Sequence, residues 1–125
     1  MSHDPRQALG ISGEDLACAE LQRRGYAILE RRYRTRLGEI DIIAREGATI
    51  VFVEVKTRLT DEFGGAAAAI TRWKQRRIAR MALDYLSRQR VQDCPCRFDV
   101  VAIDFEREGP RVTVYANAFD APASL

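Results

Sequence analysis

The chain has 125 residues, 46% of them hydrophobic and 30% charged, which is the composition of one globular domain and too short for two separate cores. No stretch approaches the roughly 18 apolar residues of a membrane span, and the first dozen residues lack the apolar segment of a signal peptide. We therefore predict a cytoplasmic protein with no membrane partner, a single domain over residues 1–125 and an ordered core at about 12–119. Three cysteines and one histidine provide neither a disulfide framework nor a usual zinc spacing.

The first predicted element is a helix that begins after Ser12 and ends before Gly25. Ser12 can cap the helix with Asp15 as its capping-box partner, and Gly25 suits the position after a helix end. Glu14 begins an otherwise apolar stripe, which continues through Ala17, Cys18 and Leu21. The carboxylate of Glu14 either complements the positive end of the helix dipole or reaches a functional site.

A strand over Tyr26–Glu30 follows, and Arg31–Leu37 continues it as a basic segment. This segment interleaves Tyr33 with arginines, a pattern that suits a phosphate backbone or the stacking of a base. An exposed edge strand is the alternative, because arginines there discourage pairing between sheet edges.

Two apolar runs, Ile40–Ala44 and Thr49–Val55, predict an antiparallel hairpin with its turn at Gly47. The second run is apolar on both faces, so we expect a central strand that is covered on both sides.

Charged residues interrupt this buried strand. Glu54 and Lys56 lie two positions apart and leave the same face. The same period places Asp41 and Glu39 on one face of the neighbouring strand, with Asp41 close to Glu54 across the hairpin. Burying ions costs several kcal/mol each, and paired carboxylates are the ligands that Mg²⁺ prefers. The alternative is a structural, half-exposed pair of Glu54 with Lys56.

Leu59–Gly65 is predicted to be a loop beside this cluster, and a second helix runs from about Ala66 or Thr71 to Gln89. Its apolar stripe consists of Ile78, Met81, Ala82, Tyr85 and Leu86. Lys74 continues the stripe toward the helix start, which directs a cation at the sheet, although snorkelling explains it as well. We interpret Trp73 as a packing residue rather than a base-stacking one.

Phe98–Phe105 and Arg111–Tyr115 are the last predicted strands, and Asp99 within the first of them is expected to orient a basic residue. A helix, three strands, a helix and further strands predict an α/β fold, with a mixed sheet flanked by helices.

Positive charge is concentrated in two segments although the net charge is only +2. Arginine, whose planar fork suits phosphate oxygens, supplies nearly all of it. The first segment contains Arg23, Arg24, Arg31, Arg32, Arg34 and Arg36, and the second contains Arg72, Lys74, Arg76, Arg77, Arg80, Arg88 and Arg90. Solvation of exposed faces is the alternative explanation.

The motif I-D-x12-E-V-K, from Ile40 to Lys56, resembles the PD-(D/E)XK phosphodiesterase signature, with Ile40 where a proline often stands. The wider pattern resembles the YraN family of small bacterial proteins. Its landmarks are G-E-x-x-A from Gly13, G-E-I-D from Gly38, V-F-V-E-V-K-T-R from Val51, K-x-x-R from Lys74, R-F-D-V-V from Arg97 and N-A-F from Asn117. That family is similar to the archaeal Holliday-junction resolvases, which implies a restriction-endonuclease-like core of αβββαβ order plus a C-terminal strand.

The resemblance implies a nuclease that depends on Mg²⁺ or Mn²⁺ and cuts DNA rather than RNA, including branched or recombination intermediates. The implied metal ligands are Asp41, Glu54 and the carbonyl of Val55, with Lys56 as the catalytic cation and Glu14 and Glu39 in support. The predicted nucleic-acid contacts are Arg34, Arg36, Arg58, Lys74 and Arg77. Resolvase-like relatives also imply a homodimer, since two cuts need two sites. The alternative function is a binding module that keeps the fold without turnover.

Overall fold

The computed structural model describes residues 12–58 and 70–121. The elements are α1 (Gly13–Arg23), β1 (Ala27–Thr35), β2 (Gly38–Glu46), β3 (Thr49–Arg58), α2 (Arg72–Arg88), β4 (Cys96–Glu106) and β5 (Gly109–Phe119). This is the predicted order, and β5 is longer at both ends than expected. The predicted loop Leu59–Gly65 and the earlier of the two helix starts, Ala66, lie outside the described residues.

The five strands form one sheet in the order β1-β2-β3-β4-β5. Strands β1, β2 and β3 are antiparallel neighbours, β4 is parallel to β3, and β5 is antiparallel to β4. The parallel pair requires a crossover, and the connection from β3 to β4 contains α2. Strand β3 is therefore central, as its apolar residues on both faces predict.

Each face of the sheet carries one helix and one apolar core. On one face α2 packs through Ile78, Met81, Ala82 and Tyr85 against a layer that includes Phe52, Phe98 and Val100. On the other face α1 packs through Ala17, Cys18 and Leu21 against a layer that includes Val51, Val53 and Val101. The α/β architecture, a mixed sheet between helices, is consistent with the predicted restriction-endonuclease-like core.

Local sequence signals explain how α1 begins and ends. The Ser12 side chain accepts a hydrogen bond from the Asp15 amide, and the Asp15 side chain accepts one from the Ser12 amide. This is the predicted capping box. Gly25 follows the helix at φ 93°, a conformation that glycine adopts without strain. Gly13 lies so close to β3 that a β-carbon there would overlap Cγ2 of Thr57.

Strands β2 and β3 part from each other near the middle of the sheet. Their backbone pairing runs from Glu46 opposite Thr49 to Ile42 opposite Val53. Beyond this point the Val55 amide donates to Oδ2 of Asp41 at 2.7 Å, so a side chain replaces the backbone partner. Strand β3 continues beside β4 and β2 continues beside β1. We call this opening between β2 and β3 the fork.

Tyr33 is a packing residue and not a base-stacking one. Its hydroxyl donates to Oδ2 of Asp84 at 2.7 Å, and its ring meets Tyr85 edge to face with the centroids 5.3 Å apart. Hydrogen bonding and packing thus tie β1 to α2.

Candidate functional site

Two carboxylates meet at the fork. Asp41 comes from β2 and is half-buried, and Glu54 comes from β3 and is 5% exposed. Burial raises the pKa of Glu54 to about 7, and the negative charge of Asp41 adds to the effect. Burial also raises the pKa of Asp41, against the hydrogen bond from Val55. The predicted approach of the two acids across the hairpin is thus present in the fold.

The cation nearest to Glu54 comes from α2. Nζ of Lys74 lies 3.4 Å from Oε2 of Glu54, whereas Oε1 of Glu54 is buried without a hydrogen-bond partner. An unsatisfied buried carboxylate oxygen costs free energy, so one half of this carboxylate lacks a ligand. Lys74 occupies the position that the stripe of α2 predicted.

Lys56 lies on the same face as Glu54, two residues nearer the end of β3, and is half-buried. The pairing in reach of Glu54 that the sequence suggested for it is not formed, since Glu54 pairs with Lys74 instead. Within residues 12–58 and 70–121 we find no hydrogen bond or ion pair from the Lys56 ammonium. Its charge is therefore available to a ligand at the open end of the fork.

Arg77 connects α2 with the start of β2. Its guanidinium lies over the ring of Trp73, with Cζ 4.6 Å from the centroid, and a β-carbon at Gly38 would stand 3.6 Å from the same Cζ. Nε of Arg77 is buried without a hydrogen-bond partner. The positive charge of Arg77 also lowers the pKa of Glu54, against the effect of burial, so Arg77 belongs to the site electrostatically.

Glu14 and Glu39 lie around Asp41 and both raise its pKa. Each has its own cationic partner, because Nε of Arg32 donates to Glu14 at 3.2 Å and Nε of Arg34 donates to Glu39 at 3.1 Å. The two acids predicted to support the site are therefore placed beside it from α1 and β2. Neither of them contacts Glu54.

The arginines predicted to bind nucleic acid have different surroundings. Arg34 and Arg36 line an open groove of about 360 Å³ between the end of β1 and α2, together with Thr35, Leu37, Arg80, Met81, Asp84 and Arg88. Arg58 instead forms a two-bond ion pair with Asp104, at 2.7 and 3.0 Å, and both side chains are 10% exposed. We therefore leave Arg58 out of the candidate interface.

Trp73 does not pack in the core as the sequence suggested. It lies in the first turn of α2 and is 66% exposed. The stripe of α2 that faces the sheet passes through Lys74 and Ile78, and Trp73 lies beside this stripe. Helical periodicity alone would have placed the ring near the boundary, where a large aromatic residue is easily assigned to the core.

The carboxylates fit a divalent cation. No group of three or more His, Cys, Asp or Glu side chains in the described part of the chain could hold a metal ion, and the predicted set has two carboxylates and the Val55 carbonyl. A cation would satisfy Oε1 of Glu54 and relieve the repulsion that raises the pKa values of both acids. Mg²⁺ commonly keeps several waters and takes only one or two carboxylates.

Two interactions at this site were not predicted from the sequence. The ion pair of Arg58 with Asp104 joins β3 to β4, and Arg80 and Arg88 face Arg34 and Arg36 across the groove. Both depend on which strands and helices become neighbours. The basic segment of residues 72–90 was the available signal for the groove, but it does not separate Arg80 and Arg88 from the other arginines. None of the helices in the described part of the chain combines the length and apolarity needed to cross a membrane.

Comparison with known proteins identifies relatives along most of the chain. It is 49% identical over 114 residues to a UPF0102 protein of Geobacter metallireducens, covering 91% of this chain and 93% of the relative. It is 49% identical over 121 residues to a UPF0102 protein of Ralstonia pickettii, covering 93% of each. The structure of Pyrococcus furiosus SfsA in complex with Ca²⁺ matches with a TM-score of 0.38 and 13% identity, over 82% of this chain and 60% of that chain. This structural similarity is too weak to carry an argument.

The family model described as "Uncharacterised protein family UPF0102" matches residues 13–103. This match and the relatives confirm the resemblance to the YraN family that the sequence motifs carry. The chain therefore belongs to the UPF0102 family.

Proposed function

We propose that the chain is a divalent-metal-dependent nuclease that hydrolyses phosphodiester bonds of DNA. The observation that carries the proposal is the pair of buried acids, Asp41 and Glu54, at the fork. Their pKa values are both raised, and Oε1 of Glu54 has no partner. Such a pair destabilises the metal-free protein, and strongly perturbed acids cluster at functional sites.

Three groups would hold the cation. They are the Asp41 oxygen that does not accept from Val55, Oε1 of Glu54, and the Val55 carbonyl. These are hard oxygen ligands, which favour Mg²⁺ or Mn²⁺. When bound, such an ion supplies positive charge beside the scissile phosphate and makes water a stronger acid.

The cations of the site would act on the phosphate and the attacking water. Lys56, at the open end of the fork, would orient the water or neutralise the charge that develops on the phosphate. Lys74 and Arg77 would hold non-bridging phosphate oxygens. The water oxygen bonds to phosphorus while the bond to the leaving oxygen breaks, and that oxygen takes up a proton.

The arginine-lined groove would hold the strand beyond the cut. Four of its side chains are arginines and one is an acid, Asp84. Phosphate contacts of this kind position a strand without reading its bases. We therefore expect binding that weakens steeply with salt and has little base specificity.

The first test is cleavage of labelled branched, single-stranded and duplex DNA and of structured RNA in Mg²⁺ or Mn²⁺. Wild type, Glu54→Gln and Glu108→Gln would be purified in the same way. Glu108 lies exposed in the turn between β4 and β5, so its variant makes the same chemical change outside the site. We expect wild type and Glu108→Gln to cut and Glu54→Gln to lose at least about 100-fold in rate.

Equal cleavage by all three proteins would point to a contaminating nuclease and remove the proposal. If none cuts while all bind nucleic acid in a salt-dependent manner, the second candidate applies, which is a binding module without turnover. The ion pair of Lys74 with Glu54 favours that candidate, because it partly neutralises Glu54 without any metal.

A further inference from the structure

Trp73 is the one tryptophan of the chain, and two thirds of it is exposed. Trp side chains bury a large apolar area in most proteins, so an exposed indole has a free energy of hydration to lose on binding. Trp73 directly precedes Lys74, whose ammonium contacts Glu54. The ring therefore stands beside the candidate site.

Arg77 holds the indole in place from one side. Its guanidinium lies over the ring at 4.6 Å from the centroid, and Gly38 backs the guanidinium at the start of β2. A cation stacked on one face leaves the other face of the ring for a second flat partner. The large exposed fraction of Trp73 agrees with one open face.

The charge around Trp73 selects an anionic partner. The first turn of α2 has no acid, and Arg72, Arg76 and Arg80 are exposed on the same helix. Nucleic acid is a partner that combines phosphates with flat rings, and base–aromatic stacking tolerates any sequence. In a duplex the base faces are hidden in the stack, whereas an unpaired strand presents them.

We propose that Trp73 stacks on a nucleobase of an unpaired strand whose phosphates lie along α2. The substrate class would then be nucleic acid that is single-stranded or locally unpaired next to the cut, as at a branch or flap. As a statement about substrate the proposal rests on the nuclease function above. The stacking itself requires only binding.

The indole fluorescence reports on the stacking directly, because Trp73 alone supplies it. Wild-type protein in EDTA, where no cut occurs, would be titrated with three probes of equal length: an oligothymidylate, an abasic strand with the same phosphates, and a blunt duplex. We expect strong quenching by the oligothymidylate and little by the other two. Equal quenching by the abasic strand would mean that phosphates alone cause the signal, and this would overturn the proposal.

Affinity for a labelled oligothymidylate, followed by fluorescence anisotropy, is the second readout. We expect Trp73→Ala to weaken binding about 5- to 100-fold, and Trp73→Phe to keep most of the affinity. Leu83→Ala removes another exposed apolar side chain from α2, since Leu83 is 52% exposed, and should bind as wild type does. Unchanged affinity in Trp73→Ala, or an equal loss in Leu83→Ala, would overturn the proposal.

The two proposals fail separately. Cleavage that depends on Glu54 without base-dependent quenching would retain the nuclease and remove the stacking. Base-dependent quenching without metal-dependent cleavage would retain the stacking and remove the nuclease. If a protein partner rather than nucleic acid covers Trp73, the oligothymidylate leaves the fluorescence unchanged, and this also overturns the stacking proposal.

Discussion

Glu54 makes the stability of the metal-free protein depend on pH. Its ordinary pKa is 4.5, and burial with the Asp41 charge raises its pKa to about 7 in the folded protein, against Lys74 and Arg77. Between these pH values the folded state binds more protons than the unfolded chain, so the free energy of unfolding falls as the pH rises. The loss due to Glu54 is on the order of 3 kcal/mol.

Glu54→Gln removes this titration. We expect the variant to gain stability over wild type at pH 8 and to gain much less at pH 5, as measured by urea unfolding in EDTA. Mg²⁺ should stabilise wild type at pH 8 and leave Glu54→Gln unchanged, because only the wild-type site binds it. The same difference between variant and wild type at both pH values would contradict the account of Glu54.

Lys56 separates catalysis from stability. Because Glu54 pairs with Lys74, we expect Lys56→Ala to lower the free energy of unfolding by less than about 1 kcal/mol. If Lys56 were instead half of a buried structural pair, the loss would be roughly 3 to 5 kcal/mol. Cleavage should fall by about 100-fold or more. Urea unfolding and the cleavage assay on the same preparation test both expectations.

The sequence predicts individual residues best where a simple period decides the outcome. The period of two places Glu54 and Asp41 on one face, and the helical stripe places Lys74 toward the sheet. Trp73 and Arg58 were harder to assign, because their surroundings depend on distant segments. Arg58 meets Asp104, 46 residues away in the chain, and no local pattern of residues reports such a partner.

Helix α1 depends on a close approach to β3 at Gly13. A β-carbon at this position would overlap Thr57, so we expect Gly13→Ala to push the helix off the sheet and to cost about 1 to 3 kcal/mol. Urea unfolding measures the change. Gln22→Ala, on the exposed side of the same helix, should stay within about 0.5 kcal/mol of wild type. Equal effects of the two substitutions would argue against a role for the contact at Gly13.

The order and type of the elements could be predicted because caps, turns and apolar runs are local signals. Ser12 and Asp15 mark the start of α1, and Gly47, at φ 60°, marks the hairpin turn. The fork was not predictable in this way. It arises where the Asp41 side chain takes over the Val55 amide, and sequence patterns do not indicate where a ladder of backbone hydrogen bonds ends.

At the opposite end of β4 from Asp104, a buried ionic network ties the sheet to the end of α1. The guanidinium of Arg97 donates to Asp99, to Glu46 and to the hydroxyl of Tyr26. Asp99 is fully buried and also accepts from the Asn117 amide at 2.9 Å. The expectation that Asp99 orients a basic residue is met by Arg97.

Removal of Arg97 would leave the charge of Asp99 buried without its cation. We expect Arg97→Ala to cost about 3 to 5 kcal/mol in urea unfolding. Arg111→Ala also breaks an arginine–carboxylate pair, but Arg111 is 67% exposed, so the cost should be below about 1 kcal/mol. Similar losses in the two variants would mean that the network around Asp99 is of little importance to the fold.

The fork also affects how the chain folds. Asp41 and Val55 are joined within a hairpin and are 14 residues apart, whereas the β3–β4 pairing that encloses Glu54 must close a crossover of more than 40 residues. Local contacts form early because their loop-closure entropy is small. The two acids therefore approach each other in water first, and Glu54 loses its hydration only when β4 and α2 close over it. Chevron analysis at pH 8 should show that Glu54→Gln slows unfolding more than it speeds folding; a change confined to the folding limb would reverse this order of events.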